Sequence, residues 1–188
     1  LAGGYGTRLY PLTSSFSKHL FQIYDKPMIY YSLSILFLAK IKEILIVCTS
    51  RDSNFYKNLF NDKKDFGVNI KYIIQDEPKG IVHALSLTKN FCSKNNICVI
   101  LGDNFFHADN LINLLAITKK KSGASIFCYH VDNPSQYGIF EIKNSKIKIT
   151  EKPSKTSSNL AITGLYFFDN NIFKYIDKIK PSKRGEYE

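Results

Sequence analysis

Leu1-Ala2-Gly3-Gly4-Tyr5-Gly6-Thr7-Arg8-Leu9 opens the chain, and this stretch predicts a strand that ends in a ligand-binding loop. Leu1 and Ala2 are typical of the end of an apolar strand. The glycines that follow let backbone N–H groups approach a ligand without obstruction by Cβ atoms. Arg8 and, further along, Lys18 add two cations. The combination favours a polyphosphate ligand, and a tight loop without a ligand is the alternative interpretation.

The glycine spacing differs from that of the two most familiar phosphate-binding loops. A dinucleotide-binding fingerprint that began at Gly4 would need a glycine where Leu9 stands. A Walker A loop would need a Gly-Lys-Ser/Thr triplet with another glycine upstream at a fixed distance, and the chain has none. The loop therefore belongs to neither class.

The composition is that of one globular domain, which we expect to span residues 1–188. A hydrophobic content of 44% is enough for a sizeable core. No apolar run approaches the roughly 18 residues of a membrane span, and the first residues do not resemble a signal peptide. The four cysteines include no Cys-x-x-Cys pair, which favours reduced thiols over a disulfide framework or a zinc site. We expect a cytoplasmic protein that does not bind membranes.

The chain is strongly basic, with a formal net charge of +10. This charge is compatible with nucleic acid, an acidic membrane surface or phosphorylated small molecules as partners. The cations are spread along the chain, and the aromatic residues fall at core-like positions. A nucleic-acid partner is therefore not expected.

Hydrophobic periodicity alternates between strand and helix patterns over the first two thirds of the chain. Strands are predicted at 43–48, 69–74, 97–101 and 124–131, and helices from Pro27, with Asp25 as its cap, and at 52–61, 81–91 and 110–120. Shorter, polar-alternating segments follow at 137–142, 145–150 and 160–168, with a last helix at 170–179. The fold class predicted is α/β: a Rossmann-like, mostly parallel sheet flanked by helices, with antiparallel additions in the C-terminal third.

Both ends of the sequence are abrupt. There is no initiator methionine, and Leu1-Ala2 is only the end of a strand pattern. We therefore expect a piece of a longer protein, with most of the first strand and a C-terminal part missing.

Several polar residues follow directly after predicted strands, where ligands bind in open parallel sheets. Asp103 comes after an apolar run, at a place where a magnesium ion could bridge phosphates, and a turn or capping aspartate is the alternative. Gln75 offers an amide that could read the edge of a base, and a solvated strand end is the alternative. Glu151 and Lys152 follow a later segment in the same way.

Together these residues favour a site for transfer between phosphates. Such chemistry needs aligned reactants and neutralised charge more than covalent participation by the protein. Arg8 can pair with phosphate oxygens bidentately, and Lys18 supplies a compact point charge. A phosphate that attacks is already ionised, so no general base is required. The histidines share no metal-ligand spacing and are interpreted as structural: His19, His83, His107 and His130.

A series of motifs then matches one family in order and spacing along the whole chain. The motifs are Leu1 to Leu9 with Pro11-Leu12-Thr13, Ser17-Lys18, Tyr24-Asp25-Lys26-Pro27-Met28-Ile29-Tyr30-Tyr31, Gln75 with Pro78 and Gly80, Leu101-Gly102-Asp103-Asn104 with Phe106, Tyr129-His130-Val131, Tyr137-Gly138, Glu151-Lys152-Pro153, Thr163-Gly164-Leu165-Tyr166, and Pro181-Ser182 with Arg184-Gly185-Glu186. By these motifs the chain resembles the sugar nucleotidylyltransferases, and the Asp-Lys-Pro-Met-Ile-Tyr-Tyr and Tyr-Phe-Phe-Asp stretches favour the branch that transfers thymidylyl groups.

The resemblance implies a magnesium-dependent reaction. The phosphate of α-D-glucose 1-phosphate would attack the α-phosphorus of dTTP, giving dTDP-glucose and pyrophosphate, within dTDP-rhamnose and surface polysaccharide biosynthesis. It also implies a homo-oligomer, a tetramer in the family. The alternatives are a CDP- or UDP-sugar pyrophosphorylase of the same family, or a nucleotide-sugar binding module without turnover.

The resemblance also implies site residues. Arg8, Lys18 and Asp103 would be catalytic, with Asp103 as the magnesium ligand. The nucleotide would be bound by Leu1, Ala2, Gly3, Gly4, Gly6, Thr7, Gln75 and Gly80, together with Arg8 and Lys18. The sugar phosphate would be bound by Asn104, Tyr137, Gly138, Glu151, Lys152, Ile162 and Arg184.

The chain departs from the family pattern at three places. His19 stands where the family usually has glutamine, and Gly80-Ile81-Val82 replaces the common Gly-Leu-Ala. The family places a second magnesium carboxylate beyond Glu188. Asp103 would then hold the metal alone.

Overall fold

The β-branched and apolar runs of the sequence form strands β1 to β9, and the longer amphipathic stretches form helices α1 to α6. The computed structural model describes residues 1–61, 66–77, 79–92, 95–182, 185 and 187. The strands are β1 (Gln22–Ile23), β2 (Lys26–Pro27), β3 (Glu43–Cys48), β4 (Asn69–Ile74), β5 (Ile97–Ile100), β6 (Ala124–His130), β7 (Gly138–Lys143), β8 (Lys146–Glu151) and β9 (Leu160–Phe168). The helices are α1 (Met28–Leu38), α2 (Ser50–Asn61), α3 (Ile81–Ser86), α4 (Lys89–Cys92), α5 (Leu111–Thr118) and α6 (Ile172–Ile176).

The first half of the chain forms the parallel part of the fold. β3 and β4 pair in parallel along their whole lengths. Ala2 lies beside β3, with its N–H donating to the Val47 carbonyl at 2.7 Å and a parallel bridge to Cys48. Leu1 donates to the carbonyl of Ile100 at 2.6 Å and accepts from the N–H of Gly102 at 2.9 Å. Leu1 thus bonds to the residues before and after position 101, which is the hydrogen-bond pattern of parallel strands. Residues 1–2 therefore lie between β3 and β5 and run parallel to both.

The second half adds the antiparallel part, as predicted. β9 pairs with β5 on one edge and with β6 on the other, antiparallel in both cases. β5 and β6 therefore run in the same direction with β9 between them. The hairpin β7–β8 joins through a pairing of Ile139 with Ala161.

The buried side chains form two clusters, one on each face of the sheet. Ile100 belongs to a cluster with residues of α1, α2, β3 and α5. Val99, its neighbour in β5, belongs to the second cluster, with residues of α3, α4 and α6. Because successive strand residues point to opposite faces, these memberships place helices on both sides of the sheet. This is the layered α/β arrangement that the sequence predicts.

Two local predictions were wrong. The single helix expected at 81–91 is divided into α3 and α4, and at the division the Thr88 hydroxyl donates to the Leu85 carbonyl at 2.7 Å. Thr88 then opens the next turn by accepting from the N–H of Cys92 at 3.0 Å. Asp25 does not cap α1, since it lies in the turn between β1 and β2 and forms an ion pair with Lys26 at 3.3 Å. The extended residue before α1 is Pro27.

A cavity of about 690 Å³ lies between the N-terminal ends of β3 and β5. Its lining includes Leu1, Ile44 and Ile97. The polar residues that the sequence singles out lie at the other end of these strands, so this cavity is separate from the candidate site. Within the described ranges, no helix has the length and apolar character needed to cross a membrane. The four cysteines are free thiols.

Candidate functional site

The carboxyl ends of the parallel strands meet at one edge of the sheet. The glycine loop follows Ala2, Gln75 follows β4, and Asp103 follows β5 within three residues. Gln75 extends the pairing of β4, since its N–H donates to the Cys48 carbonyl at 2.8 Å. The topology therefore brings these segments to a common edge, as the strand-end rule predicts.

Lys18 and Asp103 form an ion pair at this edge, through Nζ and Oδ2. Their side chains are 26% and 30% exposed, so both can reach a ligand. Burial opposes ionisation of Asp103, but the hydrogen bond and charge of Lys18, with help from His19 and Asn104, hold its pKa below the usual value. The site thus presents a fixed anion and a fixed cation side by side.

The Asn104 side chain holds Asp103 in place. Its Nδ2 donates to Asp103 Oδ1 at 2.9 Å, and its Oδ1 accepts from the N–H of Gly164 at 3.0 Å. A Cβ atom at Gly164 would lie 2.8 Å from Asn104 Oδ1, so this approach requires glycine. Asn104 therefore links the Asp103 carboxylate to β9. The Nδ2 and Oδ1 atoms of this side chain, which the family resemblance assigns to the sugar phosphate, both make contacts within the protein.

The three glycines of the opening loop have different surroundings. A Cβ atom at Gly3 would lie 2.6 Å from Gln75 Oε1. Gly6 has a φ of 64°, and a Cβ there would lie 2.9 Å from a methyl carbon of Thr13. Gly4 is exposed and has nothing within 4 Å of such an atom. The conformation of the loop thus requires glycine at positions 3 and 6, whereas at Gly4 the backbone is accessible to a ligand.

Thr7 and Arg8 follow in a single helical turn, Thr7–Leu9, whose residues are exposed. Within the described ranges, no hydrogen bond or ion pair joins Arg8 to Lys18 or Asp103. The structure places Arg8 on the same loop as the glycines but does not bring it to the ion pair.

Gln75 is only 4% exposed, so the alternative of a solvated strand end was wrong. Its Nε2 lies 3.1 Å from Nδ1 of His83 and donates to the Gly80 carbonyl at 3.4 Å. If Gln75 donates to His83, then Nδ1 of that histidine accepts and carries no proton. The remaining oxygen, Oε1, faces Gly3. His83 thus orients the amide, a role that its isolated position in the sequence does not indicate.

Gly80 adopts a conformation that requires glycine, with a φ of 98°. A Cβ atom there would collide with the carbonyl oxygen of Tyr187. Tyr187 is held against this turn from both sides, since its N–H donates to Lys79 at 2.8 Å and its carbonyl accepts from Val82 at 3.2 Å. Residues far apart in the chain thus meet at the turn whose Gly80 carbonyl accepts from Gln75.

Five of the residues assigned to the sugar phosphate lie around the hairpin β7–β8: Tyr137, Gly138, Glu151, Lys152 and Ile162. Gly138 pairs with Glu151, and the N–H of Lys152 donates to the Tyr137 carbonyl at 2.9 Å. Glu151 and Lys152 also form a direct ion pair at 3.6 Å. Ile162 lies on β9, beside the residue that pairs with β7. Asn104, assigned to the same ligand, lies instead beside Asp103, and Arg184 lies outside the described residues.

His19 is buried and packs against the strand end. Its Nδ1 lies 2.7 Å from Ser17 Oγ, and a Cβ atom at Gly102 would lie 2.7 Å from its ring carbon Cδ2. Burial lowers the pKa of His19 from 6.5 to about 4, with a smaller contribution from the charge of Lys18 and opposed by Asp103. The neutral His19 ring therefore has a structural role, since it packs between Lys18 and the strand end that carries Asp103.

A family model described as nucleotidyl transferase matches residues 1–188. The chain belongs to this nucleotidyl transferase family. The match covers every predicted site residue, including those around β7–β8. It agrees with the sugar-nucleotide resemblance that the motifs indicate.

Curated relatives make the likeness more specific. Glucose-1-phosphate thymidylyltransferase from Neisseria meningitidis is 42% identical over 191 residues, and that from Xanthomonas campestris is 44% identical. Each alignment covers 100% of this chain but 66% and 65% of the relative, respectively. The chain thus spans slightly less than two thirds of the length of these relatives.

Solved structures share the fold of this nucleotidyl transferase chain. A Bacillus anthracis protein crystallised with sucrose, provisionally described as a glucose-1-phosphate thymidylyltransferase, has a TM-score of 0.88 and 38% identity, covering 100% of this chain and 76% of its own. A UDP-glucose pyrophosphorylase in complex with UDP-glucose has a TM-score of 0.84 and 25% identity, covering 99% and 80%. The α/β sheet with antiparallel additions is therefore the fold of nucleotide-sugar transferases.

Proposed function

We propose that this chain carries the nucleotide-binding and metal-binding part of a glucose-1-phosphate thymidylyltransferase. The single observation that carries the proposal is the ion pair of Lys18 with Asp103 at the sheet edge, next to a loop with open backbone at Gly4. The names of the curated relatives support the choice of dTTP and glucose 1-phosphate as substrates.

In the proposed complex, the glycine loop and Lys18 bind the triphosphate. Open backbone at Gly4 suits close approach of phosphate oxygens. Lys18 is a point charge that can move from Asp103 to a phosphate, and Arg8 lies on an exposed turn from which a flexible side chain can reach the same anion. Gln75, held by His83, offers Oε1 to the base.

Asp103 fits a magnesium ion that is shared with the substrate. Its lowered pKa keeps the carboxylate ionised, and its partial exposure leaves oxygen available. The described residues contain no cluster of three or more His, Cys, Asp or Glu side chains. A hard cation that takes one or two carboxylates and completes its shell with phosphate oxygens and water suits such a site. When bound, magnesium would neutralise charge on the triphosphate.

The chemical step needs no protein nucleophile. An ionised oxygen of glucose 1-phosphate would form a bond to the α-phosphorus of dTTP, while the bond from that phosphorus to the bridging oxygen breaks and pyrophosphate leaves. Lys18 would stabilise the charge on the transferring group, and Lys152 would draw the second anion toward the first. Glu151 can accept from sugar hydroxyls.

Pyrophosphate release tests the proposal. Purified protein would be incubated with dTTP, glucose 1-phosphate and magnesium, and matched reactions would lack one component each. Release only in the complete mixture supports the reaction, and equal release without sugar phosphate contradicts it. Magnesium dependence, a cytoplasmic location and a tetrameric assembly stay predictions.

UDP-glucose synthesis is a second candidate, favoured by the likeness to UDP-glucose pyrophosphorylase across 99% of the chain. The same site geometry serves either pyrimidine base. A panel of dTTP, UTP and CTP, assayed side by side with glucose 1-phosphate, distinguishes the candidates by their kcat/KM values.

A further inference from the structure

Asp52 is a fully buried carboxylate outside the candidate site. It lies in the first turn of α2 and has no exposed surface. Its Oδ1 accepts from the N–H of Ser17 at 3.0 Å, and its Oδ2 accepts from the Thr49 hydroxyl at 2.7 Å. Arg51 donates to both oxygens at 3.1 Å. These hydrogen bonds compensate for the burial of the Asp52 charge, and removal of the carboxylate would leave its donors without partners.

The Arg51 guanidinium extends this contact to the segment before Lys18. Its Nη1 donates to the carbonyl of Thr13 at 3.1 Å and to that of Ser14 at 3.2 Å. Thr13 in turn donates from its hydroxyl to the Gly6 carbonyl at 2.9 Å. The start of α2 is therefore connected through side chains to the glycine loop.

A second set of contacts from α2 reaches the other side of Lys18. The Tyr56 hydroxyl donates to Ser17 Oγ at 3.1 Å, and Ser17 Oγ lies 2.7 Å from Nδ1 of His19. Tyr56 and Ser17 are both fully buried. The residues on either side of Lys18 thus lie in one buried network, while the Lys18 side chain emerges from it.

We propose that Asp52 is a positioning residue that sets the direction of Lys18 toward the triphosphate. The inference rests on the proposed function, since it assigns Lys18 to that ligand. Lysine has a long flexible side chain, so the position of its ammonium group depends on how firmly its backbone is held. Asp52 holds that backbone through the N–H of Ser17, and no described contact joins Asp52 to Lys18 itself.

A double-mutant cycle separates positioning from general stabilisation. The dissociation constant of dTTP in the presence of magnesium would be measured by titration calorimetry for wild type, Asp52→Asn, Lys18→Ala and the double variant. If Asp52 acts through Lys18, Asp52→Asn weakens binding roughly tenfold in wild type and less than about twofold in the Lys18→Ala background. A purely structural role would weaken binding equally in both.

Glu43→Gln is the matched control. Glu43 also joins two segments, accepting from Asn69 Nδ2 at 3.0 Å, but it lies at the far end of β3 and is exposed. We expect this variant to bind dTTP like wild type. Arg51→Met replaces Asp52→Asn in the same cycle if the latter does not fold, because Arg51 is partly exposed and its apolar stem is kept.

The outcomes separate the two proposals. If wild type does not bind dTTP, or Lys18→Ala binds it as tightly, the proposed site is wrong and the inference about Asp52 fails with it. If Lys18→Ala weakens binding and the effects of the two substitutions simply add, the proposed site stands and the positioning role is overturned.

Discussion

Lys18 and Asp103 are 85 positions apart in the chain, yet their side chains form an ion pair at the carboxyl edge of the sheet. Binding of a magnesium-bound triphosphate would separate them, since the carboxylate would contact the metal and the ammonium a phosphate oxygen. Under the proposed function, the pair would supply two groups of opposite charge to one polyanionic substrate.

Removing either member of the pair should slow the reaction strongly. We expect Lys18→Ala and Asp103→Asn each to lower kcat for pyrophosphate release by about 10² to 10³-fold, as for other single electrostatic groups. Lys26→Ala is the control, because Lys26 forms an exposed ion pair with Asp25 and, among the described residues, no ion pair joins it to Asp103. A loss below about threefold in either test variant would remove that residue from the mechanism.

His19 should make folding stability depend on pH. Its pKa is lowered from 6.5 to about 4 in the folded state, so the unfolded chain binds the extra proton first. The stabilisation is complete above pH 6.5 and is lost as pH falls toward 4, by about 3 kcal/mol in total. Urea unfolding of wild type and His19→Gln at several pH values measures it. We expect a smaller decline between pH 6.5 and 4 in the variant, and parallel curves would contradict the assignment.

Gly80→Ala should impair nucleotide binding as well as stability. The φ of 98° is strained for alanine, and the new methyl group would collide with the Tyr187 carbonyl. The turn would have to move, and with it the Gly80 carbonyl that accepts from Gln75 Nε2. Gly67→Ala is the control, because Gly67 also has a positive φ, 63°, but in the milder left-handed helical region, and its methyl group would meet nothing within 4 Å. We expect both to lower the melting temperature by several degrees.

The two glycine variants should differ in their affinity for dTTP. Calorimetry should show weaker binding for Gly80→Ala and wild-type binding for Gly67→Ala. Equal affinities in the two variants would mean that the turn at Gly80 does not shape the base pocket.

His83→Leu should reduce discrimination between bases. The substitution removes the contact with Gln75 Nε2, so the amide can rotate and exchange its donor and acceptor groups. We expect the ratio of kcat/KM values for dTTP and CTP to fall by about fivefold, in line with one lost hydrogen bond. Ser86→Ala on the same helix is the control, since its hydroxyl donates to the backbone carbonyl of His83 and, among the described residues, has no hydrogen bond to Gln75. An unchanged ratio would show that Gln75 does not read the base.

The parts of the fold that were predicted correctly are those with a strong local pattern. β3, β4 and β9 have the predicted bounds because their runs of apolar, β-branched residues are long enough to show a period. The hairpin β1–β2 was missed, since two-residue strands have no period to detect. The break between α3 and α4 was also missed, since the hydrophobic period continues across it.

The same distinction holds for the site. Gln75 and Asp103 could be named from the sequence because each follows a predicted strand at a position where ligands bind, and Lys18 because it is a cation close to the glycine loop. Asp52 and His83 could not. An acid in the first turn of an amphipathic helix usually faces solvent, and a lone histidine has many structural uses.

The sequence by itself determined most of the strands and helices, and that the glycine loop, Gln75 and Asp103 would lie at one sheet edge, because spacing and side-chain type act over a few neighbouring residues. Only the tertiary structure decided that Lys18 pairs with Asp103, that Tyr187 closes the turn at Gly80, and that Asp52 is buried beneath Ser17. These contacts join residues many positions apart, and their partners depend on how the packed layers meet.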